Sequence, residues 1–313
     1  MLPLHFAPLQ GYTEAPYRRI HQEVCGGIEA YYTPFIRLEH GSIRRKDLRE
    51  ALPEQNVGIH VIPQLIAADA SEFNVLSQQL ISIGHKEINI NMCCPFPLQT
   101  RYGRGSGILA LPDKVKEILD AATRLHETQG IQFSVKMRLG QHAPNEWQAL
   151  LPLLNEAPLT HIILHPRTGD EQYRGELHMD EFEAFYEACA HPLIYNGMLT
   201  TLDEIHAIET HYPRLSGLMI GRGLLARPTL AAEYASGQAI TDEACRQKVL
   251  EMHRQLFAHY QQAIEGGESQ LVSKMHTFWE YLEPLFGHKS IKKILKANSL
   301  RNYREAVANT TSI

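Results

Sequence analysis

The sequence predicts an α/β fold, a (β/α)₈ (TIM) barrel followed by a small C-terminal helical domain. Eight short apolar runs lie within residues 1–220, and each is followed by sequence compatible with a helix, as in barrels of about 250 residues. After residue 240 the strand signal stops and helical periodicity continues. With 313 residues, 44% of them hydrophobic, the chain can bury a large core. We therefore expect a catalytic barrel domain, 1–237, and a helical domain, 238–313.

The predicted strands are short runs of β-branched and other apolar residues that end at proline, glycine or polar side chains. The first run stops at Pro8, and the fourth stops at an amide followed by Cys93, Cys94 and Pro95. The second run is the weakest. The predicted strands are residues 2–7, 30–33, 59–66, 87–91, 132–137, 160–164, 191–195 and 216–220.

The predicted helices carry apolar residues three or four positions apart, which places those residues on one helix face. In the segment 70–83 these positions are Phe73, Leu76, Leu80 and Ile83. The predicted helices are 13–24, 70–83, 112–126 and 146–154 in the barrel, and 243–263, 269–285 and 290–297 in the C-terminal domain.

Composition and charge limit the class of protein. The N-terminus lacks a basic segment followed by a long apolar one, and no run of about 18 apolar residues occurs, so we expect a cytoplasmic protein without a membrane span. Five cysteines, an odd number without paired CxxC spacing, indicate reduced thiols and no metal. Residues 1–239 hold 20 basic and 27 acidic residues, whereas 240–313 hold 10 and 8. Such a basic part suits an anionic partner, although a solvated helix face is the commoner role of a run of basic residues. We expect a monomer.

Polar and cationic residues stand at the ends of most predicted strands. The loops that leave the strands of a barrel converge at its C-terminal rim, so these residues would share one site. Each alone has a structural interpretation: Gln64 as a core amide, His165 as a buried histidine, Lys136 as a rim lysine with its charge in water. Their occurrence together at one rim favours an active site. The residues are Pro8, Gln64, Asn91, Cys94, Lys136, His165, Arg167, Asn196, Gly197, Gly221 and Arg222.

The last two predicted strands are followed by loops that suit a phosphate. Asn-Gly at 196–197 and Gly-Arg at 221–222 occupy the positions where glycine N–H groups and a helix N-terminus bind phosphate in many barrels. The arginine adds a fixed positive charge. A dinucleotide-binding GxGxxG after a strand is absent. We therefore predict the monophosphate cofactor FMN, with Gln64 at its pyrimidine edge and Lys136 near N1 and O2.

The residues around Cys94 resemble the tRNA-dihydrouridine synthase family. The family pattern N-x-G-C-P, followed by a glycine and a small residue, is similar to 91–95 and 105–106 here, although Cys93 replaces the glycine and Asn89 a usual aspartate. The C-terminal part is similar to that of the shorter bacterial C-type members in length, helicity and basic charge. The segments that carry the resemblance are 7–8, 64–65, 91–95, 105–106, 135–140, 165–168, 173–175, 196–197 and 219–223.

The resemblance implies FMN-dependent reduction of tRNA uridines to 5,6-dihydrouridine, with NADPH or NADH as reductant. Reduced FMN would deliver hydride to C6 of the uracil. A thiol with an ordinary pKa of about 8.5 is protonated at neutral pH, so Cys94 would be the general acid for C5. Asn91 would hold the uracil edge, while Lys136, His165 and Arg167 would balance charge. The implied cofactor contacts are Pro8, Gln64, Lys136, His165, Asn196, Gly197, Gly221 and Arg222.

Basic residues near the site and in the C-terminal part are the candidates for tRNA backbone contacts. Arg101 and Arg104 follow Cys94 in the same loop, and the segment 289–304 contains no acidic residue. Lysines four positions apart share one helix face there. The predicted substrate contacts are Asn91, Arg101, Arg104, Arg167, Lys289, Lys292, Lys293 and Lys296.

Two other functions stay open at the level of sequence. One is an FMN barrel oxidoreductase acting on a free small molecule such as a pyrimidine, as dihydroorotate dehydrogenases do. The other is a non-catalytic RNA-binding protein on a decayed barrel. The first has no need of a basic C-terminal part, and the second has no need of Cys94, Lys136 and His165.

Overall fold

Parallel strands form the centre of the molecule. The computed structural model describes residues 1–311. The strands are β1 Leu4–Phe6, β2 Ala30–Tyr32, β3 Leu38–Glu39, β4 Ser42–Ile43, β5 Val61–Ile62, β6 Gln64–Leu65, β7 Glu87–Met92, β8 Gln132–Gly140, β9 Leu159–Thr168, β10 Leu193–Tyr195 and β11 Gly217–Ile220. Nine of them form a parallel sheet in the order β5-β2-β1-β11-β10-β9-β8-β7-β6, and β3 and β4 form a separate hairpin.

The two ends of this sheet are halves of one strand. Only Pro63 separates β5, which pairs with β2, from β6, which pairs with β7. Proline has no N–H to donate to the ladder, but the carbonyl of Pro63 accepts a bond of 2.9 Å from Asn89 N. The sheet therefore closes with eight strand positions, and the predicted barrel is confirmed.

Helices surround the barrel and continue beyond it. None of those in residues 1–311 combines the length and the apolar character needed to cross a membrane. The α-helices are α1 Ala15–Val24, α2 Arg45–Arg49, α3 Ala70–Ser82, α4 Pro97–Thr100, α5 Pro112–Gln129, α6 Trp147–Glu156, α7 Met179–Ala188, α8 Leu202–His211, α9 Arg222–Ala226, α10 Leu230–Ser236, α11 Asp242–Ala263, α12 Gly267–Trp279, α13 Glu283–Phe286, α14 His288–Leu295 and α15 Leu300–Thr311.

The prediction of one helix over 269–285 was wrong. Helix α12 ends at Trp279, and α13 begins at Glu283 with Pro284 in its first turn. Proline suits a first turn, where its missing N–H would have had no partner, but not a helix interior. The chain therefore bends at this point.

Polar side chains close the barrel at the N-terminal ends of its strands. His5 Nδ1 and His161 Nε2 each lie 3.1 Å from the hydroxyl of Tyr32. Apolar side chains such as Ile163 and Met219 form a buried cluster within the barrel. Because this end and the interior are packed, a ligand can enter the barrel only from the C-terminal rim.

The C-terminal helices pack on α1 and the loop before it. Lys248 Nζ donates to the carbonyl of Val24 at 2.7 Å, and Lys274 forms a 2.8 Å salt bridge with Glu14. Buried residues of α11 to α15 belong to the same apolar core as the barrel. The division into 1–237 and 238–313 stays a prediction, and its boundary falls at Gly237, the left-handed cap of α10.

Candidate active site

A turn at the end of β7 presents two adjacent thiols. Asn91 Oδ1 accepts hydrogen bonds from the backbone N–H groups of Cys93 (3.0 Å) and Cys94 (2.9 Å). Asn91 Nδ2 donates to Gln64 Oε1 at 2.6 Å. Asn91 therefore holds the turn in place, and a neighbouring strand holds Asn91.

Gln64 belongs to a chain of buried side chains that crosses three strands. Its Nε2 donates to Asn89 Oδ1 at 2.7 Å, and Asn89 Nδ2 donates to Ser134 Oγ at 2.8 Å. Asparagine at position 89, where the family pattern has aspartate, thus supplies both an acceptor and a donor. Gln64 keeps one N–H for a ligand, because its carbonyl and its other N–H are engaged.

Glycine at position 105 lets the following loop pack against Cys94. Gly105 has φ +60°, and a Cβ there would lie 2.4 Å from the carbonyl oxygen of Cys94. That oxygen accepts a bond of 2.9 Å from Ser106 N. Any larger residue at 105 would clash and would adopt a left-handed backbone that only glycine tolerates well. The Gly-Ser pair therefore braces the turn.

Two buried cations lie beside the turn. Lys136 Nζ is 3.1 Å from Cys93 Sγ, and Arg138 Nε donates to the Cys93 carbonyl at 2.9 Å. Within the described residues, Lys136 and Arg138 form hydrogen bonds only with this thiol and with backbone carbonyls, and neither is paired with a carboxylate. Buried cations are normally paired, so this side of the site suits an anion.

The two thiols have opposite electrostatic surroundings. Burial raises the pKa of Cys94 to about 11. Burial also opposes ionisation of Cys93, but the charges of Lys136 and Arg138 outweigh it, and the pKa of Cys93 is lowered. Cys94 is consequently a protonated thiol at neutral pH, and Cys93 is the more readily ionised of the two thiols. The backbone of Cys93 is not left-handed, so a side chain at this glycine position of the family does not strain the turn.

His165 is buried among cations at the end of β9. Burial, reinforced by Arg138 and Lys136, holds its pKa well below 6.5. The imidazole is therefore neutral, and it offers a hydrogen bond rather than a charge. The ring of Tyr173 stands edge-on to it at 6.5 Å, and Arg222 lies over the same tyrosine ring at 4.7 Å.

These groups surround a cavity of about 290 Å³ that opens at the C-terminal rim. Its walls include Pro8, Gln64, Asn91, Cys94, Lys136 and Arg222, six of the predicted site residues. Cys93, Phe96, Tyr173 and Tyr281 complete much of the remaining wall. The sequence analysis did not assign Tyr173 or Tyr281 to the site. Tyr173 lies in a segment that carries the family resemblance, 173–175, whereas nothing in the sequence pointed to Tyr281.

The other predicted cofactor residues are not part of this wall. His165, Asn196, Gly197 and Gly221 do not line the cavity. Asn196 Nδ2 donates to the carbonyl of Met219 at 2.8 Å, which joins the loops after β10 and β11. Gly221 is the N-cap of α9, and a Cβ at this position would meet only side chains, at 3.3 Å or more.

A family model for dihydrouridine synthase matches residues 5–312. The chain belongs to the dihydrouridine synthase family. It is therefore an oxidoreductase, and the resemblance seen in the sequence is confirmed.

Known members of the dihydrouridine synthase family are related to this chain at modest identity. It is 27% identical over 228 residues to tRNA-dihydrouridine synthase B of Pasteurella multocida, covering 72% of this chain and 67% of that protein. It is 25% identical over 313 residues to a probable tRNA-dihydrouridine synthase of Staphylococcus epidermidis, covering 96% and 90%. Similarity to the C-type subgroup stays a prediction.

A solved structure supports the barrel fold of this family member. Morphinone reductase in complex with tetrahydroNAD superposes with a TM-score of 0.55 at 10% identity, covering 76% of this chain and 87% of that one. At this identity the likeness concerns the fold alone.

The predicted substrate contacts of this family member are dispersed. Arg167 is buried, with Nη2 bonded to the carbonyl of Gly175 at 2.8 Å. Arg104 forms a two-pronged salt bridge with Glu72, and Arg101 lies over the ring of Tyr102 at 4.7 Å. The four lysines are exposed on α14 and at its end, and none forms a salt bridge in residues 1–311; they are Lys289, Lys292, Lys293 and Lys296.

Proposed function

We propose that this protein reduces uridines of tRNA to 5,6-dihydrouridine, using FMN and NADPH or NADH, with Cys94 as the general acid. Family membership and the names of the relatives support the reaction and the tRNA substrate. The observation that carries the assignment of the acid is a protonated thiol in the wall of a cavity whose buried cations lack carboxylate partners. We expect the protein to act as a cytoplasmic monomer.

The residues present fit a flavin that carries a phosphate. Lys136, Arg138 and Arg167 are buried without a carboxylate, and Arg167 Nε has no hydrogen-bond partner. A phosphate-bearing, readily reduced ring would supply the missing negative charge. The phosphate would lie near the loops after β10 and β11. The residues assigned to bind FMN as a whole are Pro8, Gln64, Lys136, His165, Asn196, Gly197, Gly221 and Arg222, of which the last four are assigned to its phosphate.

The chemistry supplied by FMN when bound is hydride transfer to C6 of the uracil. This chain's residues do the rest. Cys94 donates its proton to C5, Asn91 orients the turn and the base edge, and Lys136 stabilises negative charge that develops beside it. A uridine within folded tRNA must be unstacked to enter the cavity, at a cost of about a few kcal/mol. Contacts with the tRNA backbone would offset that cost.

The exposed lysines of α14 are the proposed source of those contacts. All four point to solvent without a salt bridge in the described chain, so they are free to bind phosphates. An oxidoreductase of a free pyrimidine would have no use for them. This surface is the feature that favours tRNA over the small-molecule alternative.

The test compares two adjacent substitutions. Purified protein should show the absorbance bands of a flavin, alone or after addition of FMN. Cys94→Ala should abolish dihydrouridine formation while flavin reduction by NADPH persists, and Cys93→Gly should stay active. Mass spectrometry of tRNA from a strain lacking the gene identifies the uridine. Exchanged phenotypes would overturn the assignment of the acid, and unchanged tRNA in that strain would overturn the substrate.

A further inference from the structure

The loop that follows the two thiols exposes an unusual amount of apolar surface. Phe96, Leu98 and Tyr102 are 51%, 65% and 58% exposed. They are three of the nine large apolar side chains that residues 1–311 leave exposed, and they lie within one seven-residue stretch. Exposed apolar side chains that are grouped in this way indicate an interaction site, whereas ones that are scattered singly do not.

This loop forms a wall of two cavities. Phe96 lines the cavity that holds Cys94. Leu98, Arg101 and Tyr102 line a second cavity of about 560 Å³. A group that continues from a base in the first cavity would therefore meet the other side of the same loop.

The charges of the second cavity favour a phosphate-bearing ligand. Its two carboxylates are already paired, Glu39 with Arg37 and Glu72 with Arg104. Arg101 has no carboxylate partner in the described residues and lies over the ring of Tyr102. An aromatic ring beside an arginine with a free charge is the combination that binds single-stranded nucleic acid, because bases stack on the ring and phosphates pair with the cation.

The loop is held in position before any ligand binds. Arg104 is tied to Glu72 on α3, and a Cβ at Gly107 would lie 2.5 Å from the carbonyl oxygen of Thr100. Arg104 is thus a positioning residue rather than a free phosphate contact. A fixed platform loses little conformational entropy when bases stack on it.

We propose that residues 96–102 form a stacking surface for the nucleotides next to the target uridine. The proposal rests on the proposed function. The extracted uridine leaves its neighbours unstacked, and Phe96 and Tyr102 would take over that stacking while Arg101 pairs with the backbone. The nicotinamide coenzyme is the other nucleotide that the test must separate.

The experiment measures tRNA affinity of Phe96→Ala and Tyr102→Ala by fluorescence anisotropy. Val75→Ala is the control, since Val75 is similarly exposed, at 48%, on α3. Each aromatic substitution should weaken tRNA binding by about 5- to 150-fold, the range for one stacked base. The salt dependence of binding should stay the same, because no charge is removed.

A second readout reports stacking directly. The two native tryptophans, Trp147 and Trp279, are buried, so Tyr102→Trp adds an exposed fluorophore. Its emission should be quenched by tRNA and not by NADP⁺, the oxidised coenzyme, which does not absorb at the wavelength of tryptophan emission. Wild-type affinity for tRNA in both alanine variants, or a raised KM for NADPH in place of weaker tRNA binding, would overturn the stacking surface alone. Failure of the wild-type protein to bind tRNA would overturn the proposed function with it.

Discussion

The raised pKa of Cys94 makes a quantitative prediction about its reactivity. Only the thiolate reacts with iodoacetamide, so the alkylation rate follows the ionised fraction. We take the Cys93→Gly variant without flavin, in which Cys94 is the remaining thiol of the turn. Mass spectrometry of its peptide separates it from the other cysteines.

The magnitude follows from the pKa. An ordinary thiol, with a pKa of about 8.5, goes from about 24% to about 97% thiolate between pH 8 and pH 10, which is about a fourfold rise in rate. With the pKa raised to about 11, the fraction goes from about 0.1% to about 9%, a rise of about ninetyfold. Because the ratio compares the alkylation rates of the same thiol at two pH values, the effect of limited access to the cavity cancels.

The matched variant is Cys94→Ser, which leaves Cys93 beside Lys136. The pKa of Cys93 is lowered, so its alkylation rate should rise far less over the same interval than that of Cys94. A fourfold rise for Cys94 would mean that burial does not keep this thiol protonated. The assignment of Cys94 as the acid would then lose its physical basis.

Three further outcomes are expected. Replacing the four exposed lysines of α14 and its end by glutamine should weaken tRNA binding and lower the dependence of log affinity on log salt concentration by about 0.7 to 0.9 per lost contact, while NADPH oxidation by oxygen stays constant. The control is the same change at Lys114 and Lys116, which are paired with acids on α5. An unaltered salt dependence would mean that the α14 lysines are only solvated surface. Gly105→Ala should unfold at a lower urea concentration than Gly130→Ala, because both positions have a positive φ but only the alanine at 105 brings its Cβ against backbone atoms. Equal urea midpoints would contradict the role of Gly105 in holding the turn. Lowering the pH from 7.5 to 5.5 should destabilise the protein by about 1.4 kcal/mol for each histidine that is kept neutral by burial, because the unfolded chain binds a proton below about 6.5 and the folded chain does not. Urea unfolding at both pH values checks this, and equal stability would refute it. The histidines are His5, with a pKa of about 3, His21, His161 and His253, each with a pKa of about 4, and His165, whose pKa lies well below 6.5.

The sequence predicted the barrel because most of its strands are apolar runs with clear ends. The predictions fell short where polar residues continue a strand. Strands β8 and β9 run to Gly140 and Thr168, beyond the predicted ends at 137 and 164. Arg138 extends β8 because its guanidinium satisfies backbone carbonyls, including that of Thr168. Hydrophobic periodicity cannot detect such a residue.

The hairpin β3–β4 was missed for a similar reason. Its segment is rich in charge, and Glu39 is paired with Arg37 and Arg44 rather than buried. The turn between the strands uses a left-handed His40 followed by Gly41. No apolar pattern marks such a hairpin.

Neighbouring strands made part of the candidate site predictable. Asn91 and Lys136 are directly paired in register on β7 and β8, so their proximity follows from the barrel order. Pairs that join a loop to a helix elsewhere in the fold, such as Arg104 with Glu72 on α3, depend on side-chain geometry that residue spacing does not encode. The same is true of the contact between Lys136 and Cys93.

The packing of α12 on the first loop has a consequence for exchanging parts between relatives. Tyr281, just beyond α12, forms part of the cavity wall, while Tyr12 donates to Glu280 at 2.6 Å and Lys274 bonds to the Gly11 carbonyl at 3.0 Å. A chimera that took 238–313 from another member would carry a new piece of the cavity wall into the barrel. A graft meant to change RNA preference must therefore also carry the loop at 11–14 from the same donor protein. Among relatives, we expect substitutions in one of these two segments to accompany substitutions in the other.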